Sequence, residues 1–206
     1  MTLPRRLTLI SENEIGIEPV GDIESLRYNH QHVDEMRLPA NKEIVVENVE
    51  GNALEIIAEI DPVSASMIEL NVLRSHNKEE FTRIAFYPKR GYSNGRNYWG
   101  EPWVPTGEPR PLPGIVTLET SYSSELPGVL SRAPETAPVA LLEGENVKLR
   151  VFIDKSVVEV FVNGKQCVAA RVYPGRDDSV GVSLRSQGGD SKLVGMDVWR
   201  MRSVYE

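Results

Sequence analysis

The sequence predicts an all-β fold: one domain over residues 1–206, built as a two-sheet antiparallel β-sandwich of the jelly-roll or concanavalin A-like kind. Three observations carry that expectation. Short runs rich in Val, Ile and Leu recur along the chain, bounded by Gly, Pro, Asn or Asp. The stretch Val147 to Tyr173, VKLRVFIDKSVVEVFVNGKQCVAARVY, holds three apolar-alternating runs separated by two turn signals. A hydrophobic content of 40% over 206 residues suffices for one double-layered core, and no composition break forces a second domain.

Taken in order, Thr2 to Ile10 alternates Leu3, Leu7 and Leu9 and reads as a lead-in strand over residues 1–10, with Pro4 near its beginning. Asp22 to Arg27 and Val33 to Arg37 are expected as short helices, Asp22 serving as N-cap of the first. Glu43 to Val49 and Ala53 to Ile60 are strands. In the second, Leu54, Ile56, Ala58 and Ile60 alternate with Glu55, Ile57 and Glu59, and Asp61-Pro62 closes it. Met67 to Leu73 and Phe81 to Tyr87 follow as strands. From 88 to 113 glycine and proline exclude a regular central strand, leaving a long loop that carries Tyr92, Arg96, Asn97, Tyr98, Trp99 and Trp103. Three roles fit it: an apolar cover over its own sandwich, a contact with a neighbouring domain or with a second subunit in a homo-oligomer, or a platform stacking under an oligosaccharide. Ile115 to Ser121 is the next strand and Ser123 to Pro138 a turn-rich connection. Ser179 to Ser186 and Lys192 to Met201 are the last strands, joined through Gly188-Gly189-Asp190.

The ribbon from Val147 to Tyr173 permits a register to be worked out by hand. A tight turn at Lys155-Ser156 sets Ile153 beside Val158, Val151 beside Val160 and Leu149 beside Val162. A two-residue type I′ turn at Asn163-Gly164 sets Val160 opposite Cys167 and Val158 opposite Ala169. One aliphatic face results, with Cys167 on it as a small buried hydrophobe. The other face takes Arg150, Phe152, Asp154, Glu159, Phe161, Gln166, Val168 and Arg171. Glu159 then lies between Phe152 and Val168. A carboxylate there is either a paired or solvated charge or an acid with a raised pKa, and the first is the commoner case. Val151, Val160 and Cys167 on different sides, or a helix anywhere within residues 147–173, would contradict the reading of this stretch as one antiparallel ribbon with its aliphatic side inside a double-layered β body.

The same stretch carries a family resemblance. Asp154, Ser156, Glu159, Phe161 and Asn163 in FIDKSVVEVFVN are similar to the D-x-S-x-x-E-x-F-x-N signature in the carboxy-terminal β-sandwich of glycoside hydrolase family 32, which includes invertases, levanases and inulinases. Leu3-Pro4-Arg5-Arg6-Leu7 resembles that family's L-P-R-E-L lead into the sandwich, and Leu193 to Trp199 its last strand. Leu118-Glu119-Thr120-Ser121 departs from the family's D-R-S, so contacts tied to that Asp-Arg pair do not carry over. The resemblance implies a non-catalytic module, a piece of a longer chain whose amino-terminal five-bladed propeller performs sucrose or fructan hydrolysis. The alternative function is a lectin-like carbohydrate-binding module.

Motifs that would carry chemistry are absent from the sequence. A retaining glycosidase needs two carboxyl groups roughly 5 Å apart, which family 32 supplies in W-M-N-D-P-N-G, R-D-P and E-C motifs. Arg176-Asp177-Asp178 lacks the proline, and Cys167 follows Gln166, so no catalytic residue is assigned. His30 and His32 form an H-x-H pair without the third and fourth ligands that zinc needs, so no metal and no cofactor are expected. A net charge of −7 without a basic stripe argues against nucleic acid and anionic membrane surfaces as partners. A single cysteine excludes an internal disulfide.

Overall fold

The computed structural model describes residues 2–12, 14–89, 114–130 and 132–203. These form β1 (Arg5–Ser11), β2 (Glu14–Pro19), β3 (Arg27–Val33), β4 (Met36–Leu38), β5 (Glu43–Glu50), β6 (Ala53–Asp61), β7 (Met67–Arg74) and β8 (Thr82–Tyr87). Next come β9 (Gly114–Glu119), β10 (Glu135–Val139), β11 (Val147–Asp154), β12 (Val157–Val162), β13 (Gln166–Arg171), β14 (Gly181–Gln187) and β15 (Ser191–Met201). One sheet runs β13-β12-β11-β6-β15-β3, with β4 also paired to β15; the second runs β10-β9-β8-β7-β14-β5. The paired strands are antiparallel, and β1 and β2 form a separate hairpin.

The two sheets bury one core between them. From the first come Leu54, Ile56, Ala58, Ile60, Leu149, Val151, Val160, Leu193 and Met196; from the second Ile68, Leu70, Val72, Ile84, Phe86, Val116, Leu118 and Leu184. Alternation places these on the inner faces, and at about 1.5–3 kcal/mol per large side chain, before chain entropy is counted, their burial dominates folding.

The β11–β12 register is as the sequence predicts: Leu149 pairs with Val162, Val151 with Val160 and Ile153 with Val158. The third strand is displaced by one residue. Asn163 (φ 50°) and Gly164 (φ 64°) form the turn, and the Lys165 amide donates to the Val162 carbonyl over 2.9 Å. Val162 nonetheless pairs with Gln166, leaving Lys165 as an extra residue; its ammonium lies 3.1 Å from the Ala140 carbonyl and 3.3 Å from Glu145. Val160 therefore faces Val168, and Glu159 faces Ala169. Val168 and Ala170 join the core, while Cys167 moves to the opposite side from Val151 and Val160. The expected placement of Cys167, Val168 and Ala169 was thus inverted, since a one-residue slip turns over every side chain of a strand.

Two further expectations are corrected. Val33–Arg37 is not a helix: it spans the end of β3 and the start of β4, both paired to β15, and ladder bonds override a weak helical propensity. Asp22–Arg27 shortens to a 3-10 turn at Ile23–Leu26, where Asp22 makes no side-chain cap bond. The sequence reading missed β2, β3, β4 and β10. β10 is an edge strand, which accommodates Pro138 in its ladder.

Candidate functional site

The chain's most distinctive chemistry lies on the outer face of the β13-to-β3 sheet. Outward from β11 and β12 stand Phe152 and Phe161, packed edge to face with ring centres 6.0 Å apart. With Ile23 they make a small second core, joined by Leu3, Ile17, Cys167 and Met201. Glu159 sits among them with a side chain only 2% exposed. One carboxylate oxygen accepts the Arg5 guanidinium at 2.6 and 3.1 Å, and the other accepts the Leu3 amide at 2.9 Å. Of the two readings the sequence left open, the paired charge is the one observed. The Cys167 thiol, 3.7 Å from that carboxylate, is pushed up to about 12 by burial.

The other signature residues divide by role. Asn163 occupies the left-handed turn, accepts the Lys148 amide and donates to Glu145 and to the Asn146 carbonyl, tying the turn to the segment before β11. Phe161 supplies the second core. Asp154 is exposed beside Lys155 (φ 52°), and the Ser156 carbonyl accepts the Val172 amide. Tyr92, Arg96, Asn97, Tyr98, Trp99 and Trp103 lie outside the described residues.

A second buried acid escaped sequence reasoning. Glu55, on the outward side of β6, is fully buried and bound by Arg27 through two 2.8 Å bonds and by Arg150 through a third. Its bond raises the Arg27 pKa, and Arg27 lies 4.2 Å from the Trp199 ring centre. The alternation of β6 had marked Glu55 only as a polar outer residue; its arginines are 28 and 95 positions away. Further along the sheet, His30 and His32 both bond one oxygen of Asp197, at 2.7 and 2.8 Å, and His30 stacks on Trp199. The hydrogen bond to Asp197 raises the His32 pKa. Among the described residues, no group of three or more His, Cys, Asp or Glu has the arrangement to hold a metal ion.

Among the described residues, the other two buried glutamates are engaged as well. Glu69 is met by Arg185 at 3.2 Å, and Glu80 accepts the amides of Glu125, Gly175 and Arg176 and the Ser179 hydroxyl. The β1–β2 hairpin overhangs this face. Its Arg5 and Ile17 ends are anchored, whereas Leu7, Leu9 and Ile15, on the same hairpin face, are 65%, 77% and 53% exposed. Between hairpin and sheet runs a groove of about 520 Å³ lined by Ile17, Glu18, Ile57, Glu59, Lys148 and Arg150, among others.

Comparison with known proteins places the chain. A family model described as "Glycosyl hydrolases family 32 C terminal" matches residues 22–200. Levanase from Bacillus subtilis (strain 168) is 27% identical over 211 residues, covering 99% of this chain and 27% of the levanase. Acid beta-fructofuranosidase from Vicia faba is 23% identical over 222 residues, covering 91% of this chain and 31% of that protein. The crystal structure of fructan 1-exohydrolase IIa from Cichorium intybus superposes with a TM-score of 0.76 at 19% identity, over 98% of this chain and 41% of that one. Exo-inulinase from Aspergillus awamori does so at 0.69 and 19% identity, over 98% and 36%; both likenesses concern the fold. The chain spans roughly a quarter to two fifths of the length of these relatives. By the extent of the family match, this chain belongs to the carboxy-terminal domain family of the family 32 glycosyl hydrolases.

Proposed function

We propose that the chain is the non-catalytic carboxy-terminal module of a β-fructosidase-type hydrolase, and that it packs against and stabilises an amino-terminal five-bladed propeller that cleaves sucrose or fructan. The observation that carries this reading is the overhanging hairpin. Three large apolar side chains project from one face of a ribbon firmly anchored at its other end, a surface suited to a protein partner. The engagement with internal partners of all four glutamates that are buried among the described residues supports the same reading. Incubating the purified chain with sucrose, inulin and levan should release no fructose above a protein-free blank; release that scales with chain concentration would refute the non-catalytic assignment.

The groove favours a second reading, binding of a fructo-oligosaccharide. Its volume falls in the range of small-ligand sites, about 300–1,000 Å³. Titration with fructo-oligosaccharides, followed by tryptophan fluorescence and by ligand-detected NMR, decides it: no response at millimolar sugar leaves the scaffold reading alone.

A further inference from the structure

We infer that Glu159 is a latch, the positioning residue that fixes the leading segment and its β1–β2 hairpin in one pose on the sandwich. The inference takes the hairpin's partner from the reading above; the latch itself does not depend on it.

The argument begins with charge. A carboxylate with a 2% exposed side chain requires compensation, and from the neighbouring strands of its own sheet it receives only the weak Cys167 thiol at 3.7 Å and no cation. Arg150, on the adjacent strand, bonds Glu55 instead. Compensation comes from Arg5 and the Leu3 amide, 154 and 156 residues earlier in the chain. The family match starts at Asp22, so this bond joins the matched domain to residues that precede it. Signature and lead-in, two motifs far apart in the sequence, thus meet at one ion pair. Leu3 and Ile17 close over Phe152 and Phe161 around it, and the Ile17 amide donates to the Gly164 carbonyl over 2.7 Å.

The consequence is geometric. Arg5, Leu7 and Leu9 point the same way along β1, so fixing Arg5 on Glu159 sets where the exposed stripe of Leu7, Leu9 and Ile15 is presented. A planar guanidinium bonded through two nitrogens restricts rotation more than a single-point contact does.

Hydrogen exchange read by mass spectrometry on the 206-residue chain tests the latch, using wild type, Glu159→Gln, Arg5→Gln and the double variant. Each single change should speed exchange in residues 3–19 by at least about tenfold while β6 and β11 stay protected, and the double variant should be no faster than the faster single one. Unchanged exchange in the hairpin, equal loosening of the whole sandwich, or multiplying effects in the double variant would overturn the assignment. Arg5→Gln lies outside the sandwich core and keeps the test decisive where Glu159→Gln does not fold. In the longer parent, Leu7→Ser with Leu9→Ser should speed thermal inactivation at least about threefold. If it does not, the partner reading falls, while the exchange result still judges the latch.

Discussion

Replacing Glu80 by glutamine should cost this domain several kilocalories although it removes only a charge. Glu80 is fully buried, and its carboxylate gathers four donors: the amides of Glu125 (2.6 Å), Gly175 (2.9 Å) and Arg176 (3.1 Å) and the Ser179 hydroxyl (2.6 Å). It thereby ties the segment after β9 to the segment between β13 and β14. Burial pushes its carboxyl up, but the Ser179 hydroxyl and the three amides outweigh that and hold it below the usual range. Glutamine offers one oxygen. If that oxygen serves Gly175, Arg176 and Ser179, its amide nitrogen confronts the Glu125 N–H, and one buried donor is orphaned at about 1–3 kcal/mol. Weakening of the remaining charge-assisted bonds adds about 1 kcal/mol, giving about 2–4 kcal/mol in all. For a domain of this size that corresponds to a fall in Tm of roughly 4–16 °C, read by circular dichroism at pH 7. The sign with pH follows from linkage. A carboxylate with a depressed native pKa contributes stability above its unfolded pKa and loses it as pH falls through the native value, so the gap between wild type and variant should close in acid. A Tm within 1 °C of wild type at pH 7 would refute the reasoning.

Other outcomes follow from the register and from a second depressed acid. Val168→Asn should lower Tm far more than Ala169→Asn, because Val168 lies in the core and Ala169 on the outer face, where an uncharged side chain does not repel the facing Glu159; the reverse ranking would restore the two-residue turn. Burial raises the Glu43 pKa, but Arg74, Lys78 and Ser183 bring it down to about 2. Glu43→Gln should therefore lower Tm at pH 7 and lose its effect progressively between about pH 4 and pH 2; an effect that grows in acid would contradict the pairing.

How far the sequence was legible depended on distance along the chain. The β11–β12 pairing could be worked out because a two-residue turn and a parity rule fix it locally. The β12–β13 pairing could not, because the extra residue Lys165 is held by Ala140, Glu145 and Glu14, all remote from the turn. The motif D-x-S-x-x-E-x-F-x-N identified the family, but it gave no indication that Glu159 binds Arg5, a contact spanning 154 residues. Similarly, the H-x-H pair was legible only as an incomplete zinc ligand set, and nothing nearby in sequence announced the Asp197 that β15 brings between the two rings. Val33–Arg37 misled because short polar stretches take their conformation from the strand beside them, here β15.

Expressing the upstream body of the proposed parent enzyme apart from this chain, then mixing the two, tests the central claim most directly. The half-life of fructoside hydrolysis by the upstream body at elevated temperature should lengthen at least about threefold when equimolar chain is added, and Leu7→Ser with Leu9→Ser should abolish the gain. A half-life unaffected by the added chain, with no complex detected between the two parts, would contradict the account.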